Sequence, residues 1–91
     1  MAKRRLNVLF LMADQLAAAY LPAYGHRVVR SPEIKALAEH GVVFDNFYCA
    51  SPLCAPSRFT MMAGAAVSRI GAYDNAAEFA SEVPTFAHYL R

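Results

Sequence analysis

Residues 7–13, NVLFLMA, are almost unbroken in apolar side chains and stop at Asp14. A strand with one wet face alternates polar and apolar residues. A short continuous run fits instead a strand buried on both faces, as parallel sheets require. The run therefore predicts a strand over 7–13, and that strand constrains everything else. It needs neighbouring strands at its edges and helices above and below it.

The following residues supply part of that set. QLAAAYLPAYG is made of helix formers broken by Pro22 and Gly25, and predicts a short helix and then loop through Arg30. SPEIKALAEHG is the clearest element. Ser31 suits the N-cap, Pro32 the first helical position and Glu33 the positive helix end, while Ile34, Leu37 and Ala38 share one face and Gly41 stops the helix. This predicts a helix over 32–40. VVFDNFY mixes β-branched and aromatic residues and predicts a strand over 42–48. RFTMMAGAA predicts a helix from about 56 to 64, VSRIGAYDNAAEFASEV reads as loop, and PTFAHYLR opens a helix at about Pro84 with no C-cap before Arg91. The alternation of strands and helices places the chain in the α/β class. Two strands are too few to close a doubly covered sheet, so 1–91 reads as a piece of something larger, with no complete domain of its own.

Composition agrees. The 91 residues are 57% hydrophobic and 18% charged, which is rich in apolar sequence for a size class that buries a modest share of its surface. The net charge of +2, with Lys3, Arg4 and Arg5 at the start, is too mild to indicate nucleic acid or an anionic membrane. MAKRR followed by LNVLFLMA imitates a secretory signal. The apolar run is short, however, Asn7 interrupts it, and Asp14 and Gln15 stand where it should continue. No stretch is long enough to span a bilayer. The expectation is a cytoplasmic protein with no nucleic-acid and no membrane partner. His26, His40 and His88 are scattered and read as surface or helix-end residues. Cys49 and Cys54 read as small apolar residues or one short-loop disulfide, since zinc wants more ligands at tighter spacing.

The chemistry concentrates in SPLCAPSRFT, Ser51 to Thr60. Cys54 stands at or just before a helix start, with Pro56 in the first turn. Several backbone N–H groups there lack intrahelical acceptors, and the helix dipole adds positive charge, which together favour an anion. Arg58 follows Cys54 by four residues and projects to the same side, and its forked guanidinium suits a tetrahedral oxyanion. On the residues alone two readings stay open. One is a helix cap that happens to carry Cys and Arg. The other is a thiolate phosphatase, and the spacing argues against it, since that loop needs five residues between Cys and Arg and here there are three.

CAPSR is similar to the Cys-x-Pro-Ser-Arg signature of the type I sulfatases, a family of the alkaline-phosphatase-like superfamily. Past the arginine that signature continues as roughly three residues and then Leu, Thr, Gly, Arg; here those last positions hold Met62, Ala63, Gly64 and Ala65. NVLFLMADQ resembles the family's first strand with its metal-binding acidic pair, which reads Asp14-Gln15 in this chain. SPEIKALAEHGVVFDNFY resembles the first helix and second strand, and VPTFAHYLR a later helix. MADQL, SPLCAPSR and IGAYDNAAEF together resemble the choline-sulfatase branch in particular. Phosphonate monoester and phosphodiester hydrolases of the same superfamily share the cysteine motif and the Asp-Gln variation.

The resemblance implies a mixed sheet sandwiched by helices, of which this chain would be the N-terminal piece. It implies oxidation of Cys54 to formylglycine by a formylglycine-generating or maturation enzyme. The aldehyde would hydrate to a diol, one oxygen attacking sulfur and the other later expelling sulfate. Cys54 and Arg58 would be catalytic. Asp14, Gln15 and position 54 would bind a divalent metal, Ca2+ with Mg2+ or Mn2+ as alternatives. Asn75 would reach the substrate, although AYDNAAEF on its residues alone reads equally as an Asp-Asn turn. Ser57 would serve the turn. The implied activity is hydrolysis of a small-molecule sulfate ester, choline O-sulfate, by a homo-oligomer; the 91 residues alone would be inactive and poorly folded. The alternatives are a phosphonate or phosphodiester hydrolase, and a non-catalytic interaction module.

Overall fold

Pro32 fixes its own φ and has no N–H to lose, so a helix starts there without leaving a donor unpaired. In the computed structural model, which describes residues 5–90, α1 runs Pro32–His40. Lys3 and Arg4 of the basic start, and Arg91 at the end of the expected last helix, lie outside the described residues. The chain divides into two units, Met1–Asp45 and Asn46–Arg91.

In the first unit the expected short helix is replaced by two 3-10 turns, Ala18–Tyr20 and Pro22–Tyr24. Gly25 closes the second at φ +93°, a backbone region that disfavours any residue with a Cβ. The Tyr24 hydroxyl donates to the Phe44 carbonyl at 2.8 Å and so ties the end of the unit to this turn. Ser31 occupies the N-cap position of α1 by its main chain only. Its carbonyl accepts the first helical bond from the Lys35 N–H at 3.0 Å, whereas its hydroxyl oxygen is buried and makes no hydrogen bond among the described residues. The side-chain cap expected from sequence is therefore not formed. His40 Nδ1 donates to the Ala36 carbonyl at 2.8 Å in the last turn; the acceptor can only be the carbonyl, so this nitrogen carries the proton. Gly41 ends the helix with extended backbone, φ −121°, and its role is close approach: a Cβ there would lie 3.1 Å from the Leu37 carbonyl oxygen.

The strands expected over 7–13 and 42–48 do not form; among the described residues there is no strand at all. The physical reason is that a strand is completed by its neighbour's hydrogen bonds and, for an all-apolar run, by cover on both faces. Neither is present among the described residues. Val8 is 87% exposed and Phe47 81%. Ile34 and Leu37, on the predicted apolar face of α1, are likewise uncovered.

The second unit is organised around α2, Cys54–Ala63, which packs against α3, Val67–Ile70, and α4, Phe86–Tyr89. α2 begins two residues before the expected 56, at Cys54 itself, so Pro56 falls in its first turn, where no intrahelical acceptor awaits an N–H. Gly64 ends α2 at φ +62°, donating its N–H to the Thr60 carbonyl at 2.8 Å. α3 forms inside the stretch read as loop. The buried residues of this unit are small: Ser51, Pro56, Thr60, Ala72 and Thr85. The Thr60 hydroxyl is satisfied by the Ser57 carbonyl at 2.8 Å. No helix among the described residues is long and apolar enough to cross a membrane.

Candidate active site

The first turn of α2 has few donors to offer, and each can be accounted for. Leu53, at the N-cap, has no side-chain acceptor, and its N–H points to Ser51 Oγ at 3.4 Å. The Ser57 N–H closes the first helical bond to the Leu53 carbonyl at 2.9 Å. Pro56 has no N–H. The Ala55 N–H donates to Asn75 Oδ1 at 3.0 Å, across twenty residues of sequence. Among the described residues, the one main-chain donor left open at this helix end is that of Cys54. The sequence reading of several free N–H groups is corrected to a single one, because Asn75 and Pro56 remove the others.

Cys54 is a free, exposed thiol at the first residue of α2, and Arg58, half-buried, stands one turn along the same helix. Cys49 is also free and exposed, so the short-loop disulfide is not formed. A recess of about 510 Å³ runs beside α2, with Phe47, Cys49, Ser57, Thr60, Met61 and Gly64 among its lining residues. Neither Cys54 nor Arg58 lines it, which separates this apolar groove from the anion-favouring helix end.

Asn75 is placed by its own turn. Asp74 Oδ1 accepts the Ala76 N–H at 2.9 Å, the pattern by which Asp builds a turn from its side chain. The loop is then fastened to α2 by Phe79, whose ring stacks on Phe59 with centroids 4.7 Å apart and planes 10° apart. Thus the Asp-Asn turn forms and also delivers Asn75 to the helix end that carries Cys54. Sequence reasoning missed the Ala55–Asn75 bond, since a side chain capping a helix from twenty residues away leaves no local signal. It also missed the closing pair of this unit. Thr85 N–H donates to His88 Nδ1 at 3.0 Å, and the Thr85 hydroxyl lies 2.9 Å from the same nitrogen. Here a signal existed: Thr-x-x-His is the capping-box spacing with His in the Glu position.

Asp14 and Gln15 belong to the first unit, where both are exposed and the Leu16 N–H meets the Asp14 carbonyl at 2.6 Å. Their carboxylate and amide oxygens are hard donors that suit Ca2+ or Mg2+. Among the described residues no group of three or more His, Cys, Asp or Glu is placed to hold a metal. The pair can thus supply only part of such a shell.

The sulfatase family model matches residues 6–91. Choline-sulfatase from Rhizobium meliloti is 47% identical over 85 residues, covering 93% of this chain and 17% of that protein. N-acetylglucosamine-6-O-sulfatase from Bacteroides thetaiotaomicron is 31% identical over 88 residues, covering 97% and 16%. Iduronate 2-sulfatase from Mus musculus is 39% identical over 69 residues, covering 76% and 12%. The chain therefore spans less than a fifth of the length of these relatives. No solved structure matches it. With a match running from the first apolar segment through the Cys-x-Pro-Ser-Arg helix to the end of the chain, this chain belongs to the sulfatase family.

Proposed function

We propose that the protein carrying this chain hydrolyses sulfate esters, with choline O-sulfate as substrate. The observation that carries the reading is the start of α2: an exposed Cys54 at its first position, its own N–H open among the described residues, and Arg58 one turn on. The 47% identity to a choline-sulfatase supports the choice of ester, against other relatives named as sugar, aryl and steryl sulfatases.

In this reading Cys54 is the precursor of formylglycine, whose hydrated aldehyde supplies a nucleophile that can later release sulfate by re-forming the carbonyl. The α2 N-terminus favours the negative charge that gathers on the sulfate oxygens, through the dipole and the open Cys54 N–H. Arg58 holds those oxygens by charge-assisted bonds. Asp14 and Gln15 would hold a divalent cation, Ca2+ first, by their side-chain oxygens; when bound it would lower the pKa of the attacking hydroxyl and offset sulfate charge. The same reading takes the protein to act in the cytoplasm as a homo-oligomer, with a maturation enzyme as its partner.

The test is intact mass of the residue-54 peptide after co-expression with a formylglycine-generating enzyme, followed by turnover of choline sulfate against an aryl phosphodiester. Conversion of the thiol to an aldehyde and faster choline sulfate turnover support the reading. A retained thiol in an inert protein sinks it. Faster diester turnover moves the assignment to a phosphodiester hydrolase.

A further inference from the structure

We infer that Asn75 is a positioning residue for position 54, acting through the first turn of α2. Its consequence for catalysis rests on the sulfatase reading above; the hydrogen bond itself does not.

The helix cannot cap itself. Leu53 at the N-cap has an aliphatic side chain, and Pro56 contributes no N–H to the turn. A helix with no side chain on its first N–H groups frays at that end, and here that end is the candidate nucleophile. Asn75 Oδ1 takes the Ala55 N–H at 3.0 Å, doing from a distant loop what Ser, Thr, Asp or Asn does at an ordinary N-cap. The amide orientation follows from chemistry: the Ala55 N–H can only donate, so the oxygen must face it. The bond immobilises the residue directly after Cys54 and leaves the Cys54 N–H as the open donor. Asn75 Nδ2 keeps its own donors free of partners among the described residues, so holding the turn does not consume them.

The loop meets α2 in register. Asn75 reaches Ala55 and Phe79 stacks on Phe59, so each pair is separated by twenty residues and four residues pass on both sides. Four helical residues rise about 6 Å, while four residues of loop can span roughly 13 Å. The loop therefore has slack between its two anchors, which the Asp74 turn takes up. The ring stack anchors the loop; the amide sets the turn.

The experiment uses the protein expressed from its full reading frame, matured, with rates normalised to the measured fraction of aldehyde at residue 54. Asn75→Ala removes the acceptor. Asn75→Asp keeps an acceptor oxygen in the same place and adds charge. Asn75→Ala is expected to raise hydrogen exchange at the Ala55 amide roughly tenfold. It is also expected to lower kcat on the order of 10- to 100-fold, the scale of an ångström-sized misplacement. Asn75→Asp should keep the Ala55 protection and most of kcat while raising KM for an anionic ester. Unchanged Ala55 exchange in Asn75→Ala would overturn the inference. So would an Asn75→Asp protein as poorly protected and as slow as Asn75→Ala. If the unsubstituted protein turns over no sulfate ester, the proposed function falls, and the exchange measurement still decides the cap.

Discussion

Phe59 and Phe79 lie face to face, with centroids 4.7 Å apart and planes 10° apart, and they join α2 to the loop that carries Asn75. Both rings are half-buried. Stacked pairs contribute about 0.5–1.5 kcal/mol beyond the area they bury. A double-mutant cycle of Phe59→Leu and Phe79→Leu should therefore return a coupling of about 1 kcal/mol by urea unfolding. Each single variant should also raise exchange at the Ala55 amide, because it loosens the loop that delivers its acceptor. Strictly additive stabilities would show that the rings touch without supporting one another.

Gly64 ends α2 at φ +62°, and a Cβ there would meet no atom within 4 Å. Crowding is excluded, so the cost of a side chain is purely that of the left-handed backbone, roughly 1–2 kcal/mol for an L-residue. Gly64→Ala should lower the urea midpoint by that amount, and Gly64→Asn by less, since Asn tolerates this region. Gly41→Ala offers the contrast. Its φ is ordinary but its Cβ would press on the Leu37 carbonyl oxygen at 3.1 Å. A Gly64→Ala protein as stable as the parent would show that the helix end is free to rearrange.

Thr85 is buried, and its N–H is satisfied by His88 Nδ1. His88→Ala strips a buried donor of its partner, at a cost of about 1–3 kcal/mol. His88→Gln places an amide oxygen at the position where a capping box normally has Glu or Gln and should recover most of the loss. The readout is Thr85 amide exchange together with the unfolding midpoint. Equal loss in the Ala and Gln variants would show that the ring packs rather than caps.

Legibility in the sequence followed the range of the interaction. α1 could be read from Pro32, Glu33 and the spacing of Ile34, Leu37 and Ala38, because those signals act within one or two turns. The Gly64 stop was legible for the same reason. The segments 7–13 and 42–48 have strand composition, but what completes a strand is a partner chain segment, and composition cannot say whether one is at hand. Ser31 had the right chemistry for a cap, yet its hydroxyl is turned into a buried position without a partner among the described residues. That Cys54 and Arg58 stand one turn apart at the start of one helix was legible through their spacing. The Ala55–Asn75 bond was not, because its two halves are joined only by the fold.

Asp14 ends an apolar run, and its carboxylate is the hardest oxygen ligand near the start of the chain, with the Gln15 amide beside it. A charge-neutral neighbour makes the pair depend on Asp14 for its attraction to a divalent cation. Asp14→Asn keeps the shape and one carbonyl-type oxygen but removes that charge. In the protein expressed from its full reading frame, the substitution should raise the Ca2+ concentration needed for half-maximal activity by tenfold or more, the scale of about 1.4 kcal/mol or above. Excess Ca2+ should then recover part of the rate. Chelation of the parent protein should abolish turnover, and added Ca2+ should restore it. Maturation at Cys54 offers the control, since the peptide's mass reports aldehyde whether or not a metal is bound. An Asp14→Asn protein with normal conversion, normal Ca2+ dependence and normal rate would remove Asp14 from the metal shell and leave its role as the polar end of the first apolar segment.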